Sequence, residues 1–190
     1  MIAETSNRRG LLLGGTLTAA GLAAMLGTGA SALAAAAPKA DAAQDIQILN
    51  AAIALEHEGI AAYTIAAGSG LLQPAVVSIG VTFRGHHMQH RDELIKAVEA
   101  LGGTPAAAKS EADYIKALNV ATLKNQTDVL RLALDLERGA ANAYLGLIPS
   151  LGDAYHQVAA RMAGDEAFHA AILGNALGEP IPTQALMFGA

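Results

Sequence analysis

From Asp45 onward the apolar residues fall into long runs at helical spacing. Ile46, Leu49, Ile53, Leu55, Ile60 and Tyr63 predict a first helix that starts near Asp41 or Asp45 and stops at Gly68-Ser69-Gly70. Pro74 opens a second helix, whose stripe runs through Val77, Val81, His87, Leu94 and Val98 to the break Gly102-Gly103-Thr104-Pro105. Residues 106–124 are more polar and hold one short amphipathic piece, Ser110 to Leu118, with Glu111 and Asp113 in its first turn. A third helix is expected from about Gln126 to Ile148, a turn at Pro149-Ser150-Leu151-Gly152, and a fourth helix from Asp153 to about Leu177. Residues 178–190, with Pro180 and Pro182, read as an extended tail that Leu186, Met187 and Phe188 tuck onto the helices. Two short-looped hairpins joined by a longer connection predict an all-α four-helix bundle, residues 41–177, with one long crossover between helices 2 and 3.

The two hairpins repeat one another. Leu55-Glu56-His57-Glu58-Gly59-Ile60-Ala61-Ala62-Tyr63 returns as Leu136-Glu137-Arg138-Gly139-Ala140-Ala141-Asn142-Ala143-Tyr144, and His87-Met88-Gln89-His90 is answered by Glu166-Ala167-Phe168-His169. Glu56 lies roughly 16 Å before the end of its helix and His87 roughly 20 Å after the start of the next, at about 1.5 Å per residue. The second hairpin sets Glu137 and Glu166 at matching depths. The spacing i, i+3 places His87 with His90, and Glu166 with His169, on shared faces. One mid-bundle layer of carboxylates and imidazoles is the result, and a bound cation is the simplest compensation for burying them. Tyr63 and Tyr144 follow their glutamates by two turns and are read as core residues whose hydroxyls satisfy a buried carboxylate. By helical phase His57, Glu58 and His86 are expected to point away from that layer, as solvated or outer neighbours, and His156 is placed at the surface. Gly59, Gly85, Gly139 and Gly164 are read as close helix contacts.

Composition narrows the chemistry. Aromatic residues make up 4% of the chain and the apolar content is mostly alanine and leucine, which favours helix over sheet. With no cysteine, a disulfide framework, a thiolate nucleophile and an iron–sulfur site are excluded, so any metal must be held by histidine and carboxylate. A net charge of −5 without a basic run argues against nucleic acid as a partner. No nucleophile triad or phosphate-cradling glycine loop is present.

Residues 1–37 read as an export signal and linker: Arg8-Arg9 precedes a Gly/Ala/Leu-rich run ending in Ala32-Leu33-Ala34, too weakly hydrophobic for a permanent span. The arginine pair, with Asn7 and two following leucines, resembles a twin-arginine (Tat) signal. That resemblance implies the Tat machinery as a partner, a periplasmic or otherwise exported location, passage in the folded state, which is consistent with a metal loaded before export, and no stable membrane span after cleavage.

A Glu on one helix, an i, i+3 ligand pair on the next, then Glu and Glu-x-x-His again, resembles the ferritin-like superfamily of di-iron and di-manganese carboxylate proteins. Asp45-Ile46-Gln47-Ile48-Leu49-Asn50 with Leu55-Glu56 and Tyr63 is similar to the exported ferritin-like domain proteins within it. The resemblance implies Glu56, His90, Glu137, Glu166 and His169 as metal ligands. His87 departs from it, standing where the family carries a glutamate, so the carboxylate count drops from four to three. One or two iron or manganese ions, one zinc, or an empty remnant of a site are all open from here. Oxidation of ferrous iron or reduction of peroxide is the activity the resemblance implies, making the chain a metal-dependent oxidoreductase. The alternative is a non-enzymatic, stress-related helical bundle of the envelope that has lost the metal. A homodimer is compatible with either.

Overall fold

The computed structural model describes residues 42–189. Residues 1–37, read from the sequence as an export signal and linker, lie outside the described residues, as does Asp41. Among the described residues every regular element is helical: α1 (Ala42–Gly68), α2 (Pro74–Ala100), α3 (Glu111–Ala117), a 3₁₀ turn (Val120–Thr122), α4 (Gln126–Leu147), a second 3₁₀ turn (Ile148–Ser150) and α5 (Asp153–Ala176). No helix among them is long and apolar enough to cross a membrane.

Local chemistry sets the boundaries. Pro74 occupies the first turn of α2, where its missing N–H costs no intrahelical bond. The Ser110 hydroxyl accepts from the Asp113 N–H, and the Asn125 side chain accepts from Asp128 N–H, so α3 and α4 are capped by their own preceding residues. Gly102, at φ 78°, ends α2 in the left-handed region that glycine enters without strain. The start of α5 is held differently: buried Asp45, in the first turn of α1, accepts the Gly152 N–H at 2.8 Å. Asp45→Ala is expected to lower stability by about 1–2 kcal/mol, through the orphaned N–H at the α5 terminus, as read from urea denaturation.

The helices pair chiefly as α1 with α2 and α4 with α5. Two apolar clusters tie the pairs together. One gathers Ile48, Leu49, Ile53, Leu94, Val98, Tyr144, Leu147 and Met162, from all four long helices. The other gathers Tyr63, Phe83, Leu130, Leu134, Ala170 and Leu173, again from all four. On each helix the candidate ligands fall between residues of these two clusters, so the polar layer has an apolar plug on either side.

The segment between α2 and α4 is fastened to α1: Asn50 accepts the Ala106 N–H and donates to Thr104 O, and the His57 ring contacts Ala106 O at 3.2 Å. His57 therefore ties down the connection rather than meeting solvent alone. The expected stripe of α2 holds at His87, Leu94 and Val98 but not at Val81, which is exposed. Of Leu186, Met187 and Phe188, the last packs against the helices, and the Gly189 N–H donates to Asn142; Leu186 is 92% exposed and Met187 about half.

Candidate metal centre

All six candidate ligands are buried and meet at one level: Glu56 from α1, His87 and His90 from α2, Glu137 from α4, Glu166 and His169 from α5. Their donor atoms form two overlapping sets, Glu56, His87, His90 and Glu166 in one and His87, Glu137, Glu166 and His169 in the other, each with all donors within 4.8 Å of one another. His87 and Glu166 belong to both. The histidine that departs from the carboxylate pattern is therefore central. Its Nδ1 lies 2.8 Å from Glu56 Oε2, while its Nε2 lies 3.3 Å from Glu137 Oε1 on the other hairpin.

Around this pair the contacts continue. His90 Nδ1 is 3.0 Å from Glu166 Oε1, and His169 Nδ1 is 3.0 Å from Glu166 Oε2 and 3.4 Å from Glu137 Oε2. The tyrosines are satisfied crosswise. Tyr63 of α1 donates to Glu137 of α4, and Tyr144 of α4 donates to Glu56 of α1, so each hydroxyl serves the opposite hairpin's glutamate. No buried side-chain nitrogen or oxygen among the described residues lacks a hydrogen-bond partner.

Burial works to lower the His87 and His90 pKa values, but carboxylates outweigh it. Glu137 and Glu56 hold His87 well above the ordinary imidazole value, and Glu166 and Glu56 push His90 up to about 10. His169 is raised in the same way by Glu137 and Glu166. Burial acts to raise Glu56 and Glu137, yet their histidine partners bring both below the usual carboxylate range. Glu166 goes the other way: burial raises it, and bonds from His169 and His90 do not offset the loss of water. Burial, and then the glutamate charges, raise both tyrosines well above 10.0, so each stays a neutral donor.

The donor set fits a transition-metal ion. Three imidazoles and three carboxylates from four helices offer borderline nitrogen and hard oxygen donors, the combination that iron, manganese and zinc accept. To bind, an ion displaces the protons that now join imidazole to carboxylate.

Two further residues reach the candidate ligands. His86 does not point away: its Nδ1 lies 2.9 Å from His169 Nε2 and the rings stack at 5.2 Å. Asp165 reaches His90 Nε2 at 3.1 Å. Both are second partners to candidate ligands, the arrangement that fixes which imidazole nitrogen faces an ion. They line a polar cleft between α2 and α5, with Gln89, Glu93 and Arg161 on its rim. The sequence signal was present in part, since His86 and Asp165 each immediately precede a candidate ligand.

The glycines also separate. A Cβ on Gly59 would lie 2.9 Å from His87 Nδ1, so this glycine is what lets the ring sit against α1, whereas Gly85 and Gly164 face open space and make no close approach. Because the His87 ring is buried and held at both nitrogens, Gly59→Ala is expected to cost about 1–3 kcal/mol and to loosen the His87–Glu56 contact, measured by urea denaturation in chelator.

Comparison with known proteins agrees with this architecture. Residues 44–179 match the family model for the ferritin-like domain. The crystal structure of a conserved hypothetical protein, rv2844, from Mycobacterium tuberculosis is similar, with a TM-score of 0.60 and 25% sequence identity over 76% of this chain and 97% of that one. No curated protein matches the chain. With its all-helical fold, its buried Glu and His layer and a family match across most of its length, the chain belongs to the ferritin-like domain family.

Proposed function

We propose that this is an exported ferritin-like protein that binds one or two transition-metal ions, iron or manganese, at the centre of a four-helix bundle whose long crossover joins α2 to α4. The observation that carries the reading is the pair of overlapping four-residue donor sets, with ligands Glu56, His87, His90, Glu137, Glu166 and His169. Ferrous iron oxidation or peroxide reduction is the activity we assign, and a bound metal would supply the redox change and open positions for oxygen or peroxide. Export by a Tat-type signal in residues 1–37 fits the same picture, since loading before export would make the metal part of the folded cargo.

The chain's own residues do the rest. Glu166 and His87, common to both sets, hold the two halves at one spacing. Tyr63 and Tyr144 keep Glu137 and Glu56 in place from the opposite hairpin, and the apolar clusters above and below keep bulk water from the layer. His86 and Asp165, in the polar cleft, stand where protons displaced from His169 and His90 can leave.

One observation favours the alternative, a non-enzymatic envelope or stress-related bundle that has lost the metal: every buried imidazole and carboxylate of the layer has a hydrogen-bond partner within the protein. The two readings separate in an anaerobic titration with Fe(II) and Mn(II), comparing the wild type with the double variant Glu56→Ala, Glu166→Ala. Saturable binding lost in the variant, together with ferroxidase or peroxide-dependent turnover, supports the metalloprotein. Equal metal content in the two proteins would refute it.

A further inference from the structure

Beside the metal layer, on the side away from the polar cleft, lies a cavity that the proposed function leaves without a role. It holds about 70 Å³ between α1, α4 and the connecting segment, and its wall is largely aliphatic: Leu55 and Ala62 of α1, Leu123 of the connection, Leu136 and Ala140 of α4. From exposed Ser69 it runs inward to His87 and Glu137. A second apolar void of about 50 Å³ shares Tyr63, Ala66, Val129 and Ala133 with it. Glu58 contributes to the wall of the first, but its carboxyl oxygens reach solvent. At the inner end the polar atoms are already engaged within the layer: His87 at both nitrogens, Glu137 by Tyr63 and His169. A water there would lack most of the about two to four partners it needs, so the void favours an apolar occupant. Its volume is that of about two waters at about 30 Å³ each, enough for one diatomic molecule or one xenon atom and too small for an organic chain.

We propose that this cavity is a binding site for dioxygen and its way in to the metal layer, which it meets at His87 and Glu137. The site rests on the metal reading and deepens it, choosing dioxygen over peroxide as the oxidant that this side admits. Dioxygen is apolar and leaves water for a carbon-lined void at little cost. Peroxide carries two hydroxyls, and each would give up hydrogen bonds to water for an aliphatic wall. Metal ions face a higher barrier of the same kind, so they are left to the polar cleft between α2 and α5, which His86, Asp165, Glu93 and Arg161 line. Gas and ion thus reach the layer from opposite sides.

The test follows methyl NMR signals of the full chain, metal-free in chelator, first under xenon pressure and then under dioxygen. Xenon should give saturable shifts, and dioxygen paramagnetic broadening, at the methyls of Leu55, Leu123 and Leu136, with much weaker effects at Leu49 and Ile53 in the closed core. Ala140→Leu, which fills the cavity, should abolish both effects, with Ala62→Leu as the second filling variant should the first fail to fold. Loaded with Fe(II), the folded filling variant should keep wild-type metal affinity and peroxide-driven oxidation and lose oxygen-driven oxidation. Absence of saturable xenon shifts, xenon binding that survives a folded filling variant, or oxygen-driven oxidation that the filled cavity leaves unchanged would overturn the proposal. Fe(II) binding without xenon shifts defeats the cavity alone, whereas xenon shifts in a chain that binds no Fe(II) defeat the metal reading, and the entry route with it.

Discussion

His87→Glu is expected to lower the stability of the metal-free protein by about 3–5 kcal/mol, the range for breaking a buried ion pair and leaving its partners uncompensated. The imidazole of His87 joins Glu56 to Glu137 across the two hairpins, and with both nitrogens protonated it is the cation between them. The substitution removes that cation and adds a fourth carboxylate to a layer closed to water. For a domain of this size the loss corresponds to a fall in melting temperature of roughly 6–20 °C. Metal should reverse it. With four carboxylates the variant regains the anionic ligation that the family pattern carries, so saturating Mn(II) or Fe(II) is expected to raise its melting temperature more than that of the wild type. Calorimetry of both proteins, with chelator and with metal, checks the sign. A variant as stable as the wild type in chelator would mean that His87 is not the cation joining the hairpins.

The second large effect is a crossing of pH profiles. The pKa values of His87, His90 and His169 are raised in the folded protein, so their contribution to metal-free stability is fully present below the unfolded value of 6.5. It is lost as pH rises through the folded values, about 10 for His90. Glu56 and Glu137 are lowered, and their contribution is present above the unfolded value of 4.5 and lost as pH falls. Glu166 is raised by burial, so keeping it ionised subtracts from stability above 4.5. Metal-free protein is therefore expected to be most stable between about pH 5 and 6.5 and to weaken toward pH 10. Metal affinity runs the other way. Each donor set contains two imidazoles, and displacing two protons makes affinity rise about 100-fold per pH unit, or roughly 10⁴-fold between pH 6 and 8. Competition titrations at pH 6, 7 and 8 measure this slope. A flat profile would show that the ion binds without displacing the histidine protons.

Much of the scaffold could be read from local signals because each signal acts within a few residues. Pro74, Gly68-Ser69-Gly70 and Gly102-Gly103-Thr104-Pro105 end or begin helices through backbone restrictions that need no tertiary context, and the observed boundaries fall at them. The meeting of the candidate ligands was legible for a related reason: equal depths along the paired helices bring Glu56 level with His87, and Glu137 level with Glu166. What stayed hidden depends on which neighbour reaches back. Helical phase turns His86 away from the ligand face of its own helix, but His169 on α5 meets it there. Tyr63 and Tyr144 were placed beside carboxylates, yet the crosswise pairing depends on how the hairpins face each other. Glu58 is buried because the connection between α2 and α4 folds over it, and a polar connection gives no sign of where it will lie. Gly85 and Gly164 repeat between hairpins without making the contact that repetition suggested, while Gly59 makes one against a ring rather than a helix.

The buried layer is expected to hold metal in the protein as the cell makes it. Elemental analysis by inductively coupled plasma mass spectrometry, on the chain produced with residues 1–37 in place, tests this. About one to two iron or manganese ions per chain are expected, from two donor sets that share residues. Fewer than about one ion in five chains, persisting after anaerobic loading with iron, manganese and zinc, would contradict it and leave a self-satisfied polar core in a fold that no longer uses its site.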